Sequence, residues 1–100
     1  MNKKELIVHV SEKTGFQQVL VETIFNEIIT TITTEIVQGN NVSISGFGMF
    51  SSKFIPAKTK IHNITKVVLN IDAKLDPRFK FSAAYRERVD EEYNESNHQN

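Results

Sequence analysis

The chain has 100 residues, 39% of them hydrophobic, and no obvious linker, so a single domain with a modest core is expected. It contains no cysteine, which excludes disulfides, thiolate metal sites and cysteine nucleophiles. Twelve lysines and arginines balance twelve acids, but unevenly: residues 1–52 hold three lysines against five glutamates, residues 53–88 nine cations against three acids, and residues 89–100 four acids. A polyanion responds to such a local basic field more than to a zero total, whereas the plain alternative is a solvated surface segment.

At the start, Met1-Asn2-Lys3-Lys4-Glu5 leads into a mixed-polarity segment rather than a signal-peptide core, and no apolar run approaches the roughly 18 residues that cross a bilayer. A soluble, cytoplasmic protein is expected. Asn2 followed by Glu5 fits a helix start, with the Asn side chain capping a free N–H while Glu5 reaches back. Leu6 and Val10 give a short apolar face, and Gly15 supplies the stop, so the first helix covers about residues 3–14.

Val21, Ile24, Phe25, Ile28, Ile32 and Ile36 then recur at steps of three and four, which places them on one face of a second helix ending before Gly39. Leu20, Ile29 and Val37 widen that face beyond what one short helix covers. Such a stripe calls for two partners, of which one could be another subunit; ordinary packing within a monomer is the alternative.

Asn40-Asn41 reads as a turn. Val42 and Ile44, then Phe47 and Phe50, suggest two short strands around the tight reversal Ser45-Gly46-Phe47-Gly48. The second strand runs through Phe54 and Ile55 to Pro56, which lacks the donor of a central strand and so marks an edge or a departure from the sheet. Residues 54–74 read as a hairpin: out along 54–62, reversal near His62-Asn63-Ile64, back along 66–74, with Asp76-Pro77 ending the return strand. At about 3.3 Å per residue a ten-residue limb reaches roughly 30 Å, so the ribbon should project into solvent or onto a partner. Ser82 caps a last helix through about Tyr93, and the polar stretch 94–100 is expected to be a disordered tail.

No glycine-rich phosphate loop, Ser/His/Asp set or paired-carboxylate pocket is present, so no enzyme and no cofactor are expected. His9, His62 and His98 lack metal-ligand spacing.

The glycines, phenylalanines and hairpin together resemble the bacterial histone-like family of HU and integration host factor. The opening Met1-Asn2-Lys3, with Glu5-Leu6-Ile7, is similar to that family's start. Glu12-Lys13-Thr14-Gly15 resembles its first inter-helix turn, Gly39 its second, and Gly46-Phe47-Gly48 with Phe50 its short sheet motif. Ala57-Lys58, Thr65, Ile71 with Ala73, and Pro77 with Phe79-Lys80 follow in register, so the likeness runs without gaps to about residue 89.

The resemblance implies an α+β fold built as an intertwined dimer: a two-helix N-terminal base, a three-stranded antiparallel sheet extended into a β-arm at about 54–74, and a short C-terminal helix, all within residues 1–93. It implies a non-enzymatic, nucleoid-associated protein that binds, bends and compacts double-stranded DNA without reading sequence, its basic arms lying in the minor groove. Homodimerisation is expected, with a heterodimer containing another HU-like chain possible, and no membrane partner. An alternative keeps the fold but loses the role: a protein–protein module, partner or antagonist of a standard HU, with weak DNA binding.

On this reading Lys53, Lys58, Lys60, Lys66 and Lys74 are phosphate contacts of saddle and arm, extended along the flank by Lys3, Lys80 and Arg86. Ser82 and Ala83 open a helix whose free N–H groups could hold a phosphate. Ile24, Phe25, Ile28, Ile32, Ile36 and Ile44 are assigned to the core and dimer interface. Phe47, Phe50 and Phe79 are assigned there too, in preference to base-stacking platforms. The tip departs from the family's Arg-x-Gly-Arg-Asn-Pro-x-Thr-Gly: here Ile61, His62, Asn63, Ile64, Thr65 and Lys66 complete it, with Asn63 where the wedge proline would stand. Weaker kinking of DNA is therefore expected, since Ile61 or Ile64 could replace the wedge only in a remodelled turn. His62 could enter the groove, where protonation would tighten binding at lower pH. The run Asp90-Glu91-Glu92 is either a solvated helix end or a competitor with DNA for the basic saddle.

Overall fold

The computed structural model describes residues 1–97 and falls into two units, Met1–Thr34 and Glu35–Asn100. In the first, α1 (Lys3–Thr14) begins at Asn2, whose side chain accepts from the Glu5 N–H at 2.9 Å. It ends at Gly15, held at φ 81° while its N–H reaches the Ser11 carbonyl. That left-handed conformation carries a steric cost for any residue with a Cβ, which is why glycine closes the helix. The second helix, α2 (Gln18–Val37), starts in this unit and delivers its last turn to the other.

Ile7 is the one buried hydrophobic residue among those described, and α2 contains none. Ile24 and Ile28 stay about half exposed, at 51% and 49%, whereas Phe25 and Ile32 are half-buried. Leu6, Ile7, Val10, Phe16, Val21 and Ile24 line an open recess between α1 and α2 that also includes Phe25 and Ile28. The stripe inferred from periodicity is thus real as a face but only half covered.

The second unit contains β1 (Val42–Ile44), β2 (Gly48–Ile55), β3 (Lys58–Ile61), β4 (Val68–Ile71), β5 (Lys74–Phe81) and α3 (Ala83–Asn97). Strands β1, β2 and β5 form an antiparallel sheet in that order, and β3 pairs with β4 as a separate ribbon. The expected three-stranded sheet extended into an arm is present, with three corrections. Asp76-Pro77 does not end the return strand: β5 runs through it, Pro77 facing Ser52. As an edge strand β5 needs donors on one side only, so proline is tolerated. The hairpin limbs are not continuous, because Pro56-Ala57 and Asp72-Ala73 interrupt both, yet the register is unchanged across the gap: Ile55 faces Lys74 and Lys58 faces Ile71. Finally, α3 passes Tyr93 and continues to Asn97, whose side-chain amide donates to the Tyr93 carbonyl at 2.8 Å. No glycine or proline stops it, and Arg88 pairs with Glu92 one turn on. The rest of the expected tail, 98–100, lies outside the described residues.

An aromatic cluster joins α3 to the sheet. Phe47, in the β1–β2 turn, meets Phe79, Phe81 and Tyr85 at centroid distances of 5.3, 5.8 and 5.2 Å, and Phe50 meets Phe79 at 4.5 Å. Each such pair contributes about 0.5–1.5 kcal/mol beyond its buried area. Gly48 is forced by this packing: a Cβ there would lie 2.5 Å from the Lys80 carbonyl oxygen and 2.6 Å from the Phe79 ring.

Candidate nucleic-acid interface

Alternation along a strand sends successive side chains to opposite faces, and residues opposed across the β2–β5 ladder share a face. One face carries the pairs Phe50–Phe79, Phe54–Leu75 and Ser52–Pro77. Its inward side is marked by the Phe50–Phe79 ring contact and by the Ser52 hydroxyl donating to the Ile36 carbonyl at the end of α2 (3.4 Å). The other face carries Met49–Lys80, Ser51–Arg78, Lys53–Asp76 and Ile55–Lys74. Aromatic packing on the reverse therefore holds four cations, Lys53, Lys74, Arg78 and Lys80, on a common, exposed surface.

Three of these cations are the lysines expected there; Arg78 is an addition that the sequence reading missed. Its signal is present once β5 is allowed to continue through Pro77, because position 78 then has the parity of 74 and 80. Arg78 Nε lies 3.3 Å from Asp76 Oδ2, both side chains about half exposed. An exposed pair of this kind contributes about 0–1 kcal/mol, which an incoming phosphate can displace.

Lys80, Ser82, Ala83 and Arg86 converge on a recess of about 500 Å³ that is also lined by Ser43 and Ser45. Ser82 caps α3, its Oγ accepting from the Tyr85 N–H at 3.1 Å. Lys3 belongs to the other unit, with Nζ 5.9 Å from the centroid of the Phe25 ring.

In the ribbon, Lys58 faces Ile71 and Lys60 faces Leu69 on one side, while Thr59 faces Asn70 and Ile61 faces Val68 on the other. All of residues 58–71 are exposed. The tip is a closed turn: the His62 N–H donates to the Val67 carbonyl (3.0 Å) and the Lys66 N–H to the His62 carbonyl (2.9 Å). His62 Nδ1 accepts from both the Ile64 and Thr65 N–H groups, each at 3.3 Å. Lys66 sits at φ 60°, a left-handed conformation unusual for a residue with a side chain, where the resemblance puts glycine. Ile64 stands at the apex, 87% exposed.

Comparison with known proteins places this geometry. The profile of the family described as Bacterial DNA-binding protein matches residues 1–90. The chain belongs to that family. It is 35% identical over 89 residues to DNA-binding protein HU of Thermotoga maritima, covering 89% of this chain and 99% of that one. It is also 35% identical over 91 residues to integration host factor subunit beta of Mannheimia succiniciproducens, covering 90% and 97%. Among solved structures, HU in the Anabaena HU–DNA cocrystal superposes with a TM-score of 0.72 at 29% identity, covering 89% of this chain and 97% of that chain. HU from Thermotoga maritima gives 0.62 at 32% identity, covering 89% and 98%. The HU-type assignment thus extends over the helices, sheet and arm together. Among the described residues, no helix is long and apolar enough to cross a membrane, and no group of three or more His, Asp or Glu side chains could hold a metal ion.

Proposed function

We propose that this HU-family chain acts in the nucleoid as a homodimer that binds double-stranded DNA without reading its sequence. Its cationic sheet face and arms follow the duplex, and the arms enter the minor groove to bend and compact it. The observation that carries this reading is the segregation across one sheet: Lys53, Lys74, Arg78 and Lys80 on one face, the phenylalanine cluster on the other. Lysines act there as point charges that release condensed counterions, a mechanism indifferent to base sequence. Lys58, Lys60 and Lys66 extend the track along the arm, and the Lys80–Ser82–Arg86 recess offers a phosphate both cations and helix N–H groups. The Anabaena HU relative, solved with DNA, supports the same partner here.

Dimerisation is supported by what the isolated chain leaves uncovered. The half-covered face of Ile24 and Ile28 supplies the apolar surface a second copy would bury, each side chain contributing about 1 kcal/mol or more on full coverage. Sedimentation equilibrium should give twice the chain mass, and unrelated duplexes of equal length should compete equally for binding. A monomer, or strong preference for one duplex, would count against the proposal.

A further inference from the structure

We propose that His62 is a positioning residue for DNA deformation: its neutral imidazole holds the arm tip in the turn that presents Ile64 as an apolar wedge, and protonation releases that turn. This rests on the DNA-binding reading above and assigns the tip a chemistry of its own. Both groups that meet His62 Nδ1 are backbone N–H donors, from Ile64 and Thr65 at 3.3 Å. That nitrogen must therefore offer its lone pair, so the remaining ring proton resides on Nε2. A proton added at Nδ1 removes the acceptor and sets a cationic N–H against two donors.

The turn so held has an otherwise unexplained product. Ile64, between Asn63 and Thr65, keeps an aliphatic side chain 87% exposed at the apex of a hydrogen-bonded loop. Isoleucine is among the side chains that enter a base step from the minor groove and partly unstack it. A wedge must be pre-ordered to do this, because a loose turn spends the insertion on its own ordering. Lys66, at φ 60°, is part of the same turn and its N–H closes on the His62 carbonyl. The charged groups of the arm are Lys58, Lys60 and Lys66, with Asp72 and Lys74 at its base; no carboxylate occurs from 56 to 71, and residues 58–71 are all exposed.

Protonation thus has two opposed effects. It adds a cation that phosphates attract, and it dismantles the wedge. Affinity should hold or rise on acidification while bending falls, a split that simple loss of structure does not produce.

The test uses the full chain and a duplex well below DNA's persistence length of about 150 bp, labelled at both ends for energy transfer. Binding and end-to-end transfer are read at about pH 8 and about pH 5, the ends of the range in which histidine changes charge. The wild type should bend the duplex at the higher pH and lose more than about half of that signal at the lower, with affinity unchanged or tighter. His62→Asn, whose side-chain oxygen can accept from the same N–H groups without titrating, should bend at both. His62→Ala and Ile64→Ala should bind within a few-fold of wild type and bend weakly at both. Bending by Ile64→Ala equal to wild type, or the same pH loss in His62→Asn, overturns the proposal while leaving DNA binding intact. Absence of binding by every protein overturns the DNA reading and this proposal with it.

Discussion

The three-stranded sheet and the arm both display lysines, but they hold them in different ways. In the sheet, Lys53, Arg78 and Lys80 lie on the face opposite the Phe50–Phe79 contact and the aromatic cluster around Phe47, so side-chain packing fixes where the charges stand. In the arm nothing lies beneath Lys58 and Lys60 except the ribbon, and residues 58–71 are exposed throughout. Its order comes from the ladder and from the hydrogen bonds around His62. A packed element displays charge at a fixed place; an unpacked one can adapt to a ligand and is easily disordered by a local change.

Truncation should expose that contrast most strongly. Phe79→Ala should lower stability by about 3 kcal/mol, whereas Leu69→Ala in the arm should change it by less than about 0.5 kcal/mol. Denaturant midpoints at equal protein concentration check both, and equal losses would mean that the arm is packed in solution. Charge removal should invert the ranking. Lys58→Ala with Lys60→Ala should leave the midpoint unchanged while making the slope of log affinity against log salt shallower, by about 0.9 for each phosphate no longer neutralised.

A finer probe addresses the tip. Lys66→Val forces a β-branched residue into a left-handed conformation, at a cost of about 1–2 kcal/mol, and should abolish amide-exchange protection at Ile64 and Thr65. Lys66→Asn, which tolerates that conformation, should retain it. The smallest effect is expected at the other end of this unit. Removing residues 90–100 should raise DNA affinity by less than about tenfold at 0.1 M salt, because exposed acids act over only about 10 Å there.

The same contrast governs what is legible in the sequence. Both N-terminal helices are readable because their caps and three- and four-residue spacing are local signals: Asn2, Gly15 and Gly39 stand at their boundaries. The Gly46-Phe47-Gly48 reversal and the hairpin near His62 are readable for the same reason. The passage of β5 through Pro77 is not, since proline's tolerance depends on edge position, a property of the sheet and not of the residue. Arg78 is missed along with it. The helical continuation to Asn97 is hidden because 94–97 has no apolar face, and its support is a side-chain bond to Tyr93. Nor can spacing alone tell that Ile24 and Ile28 remain half exposed in the single chain. The His62 acceptor is equally hidden, because two N–H groups reach one ring nitrogen only in that particular turn.

If cations of the sheet face and arm jointly neutralise DNA phosphates, duplex affinity must depend steeply on salt. The wild type should give a linear fall of log affinity with log salt, with a slope of about −5 or steeper, as expected when some six phosphates are engaged. Replacing Lys53, Lys74, Arg78 and Lys80 by alanine should flatten it markedly. Weak binding with a slope near zero in the wild type would rule out joint phosphate neutralisation and favour an HU-like chain whose partners are proteins.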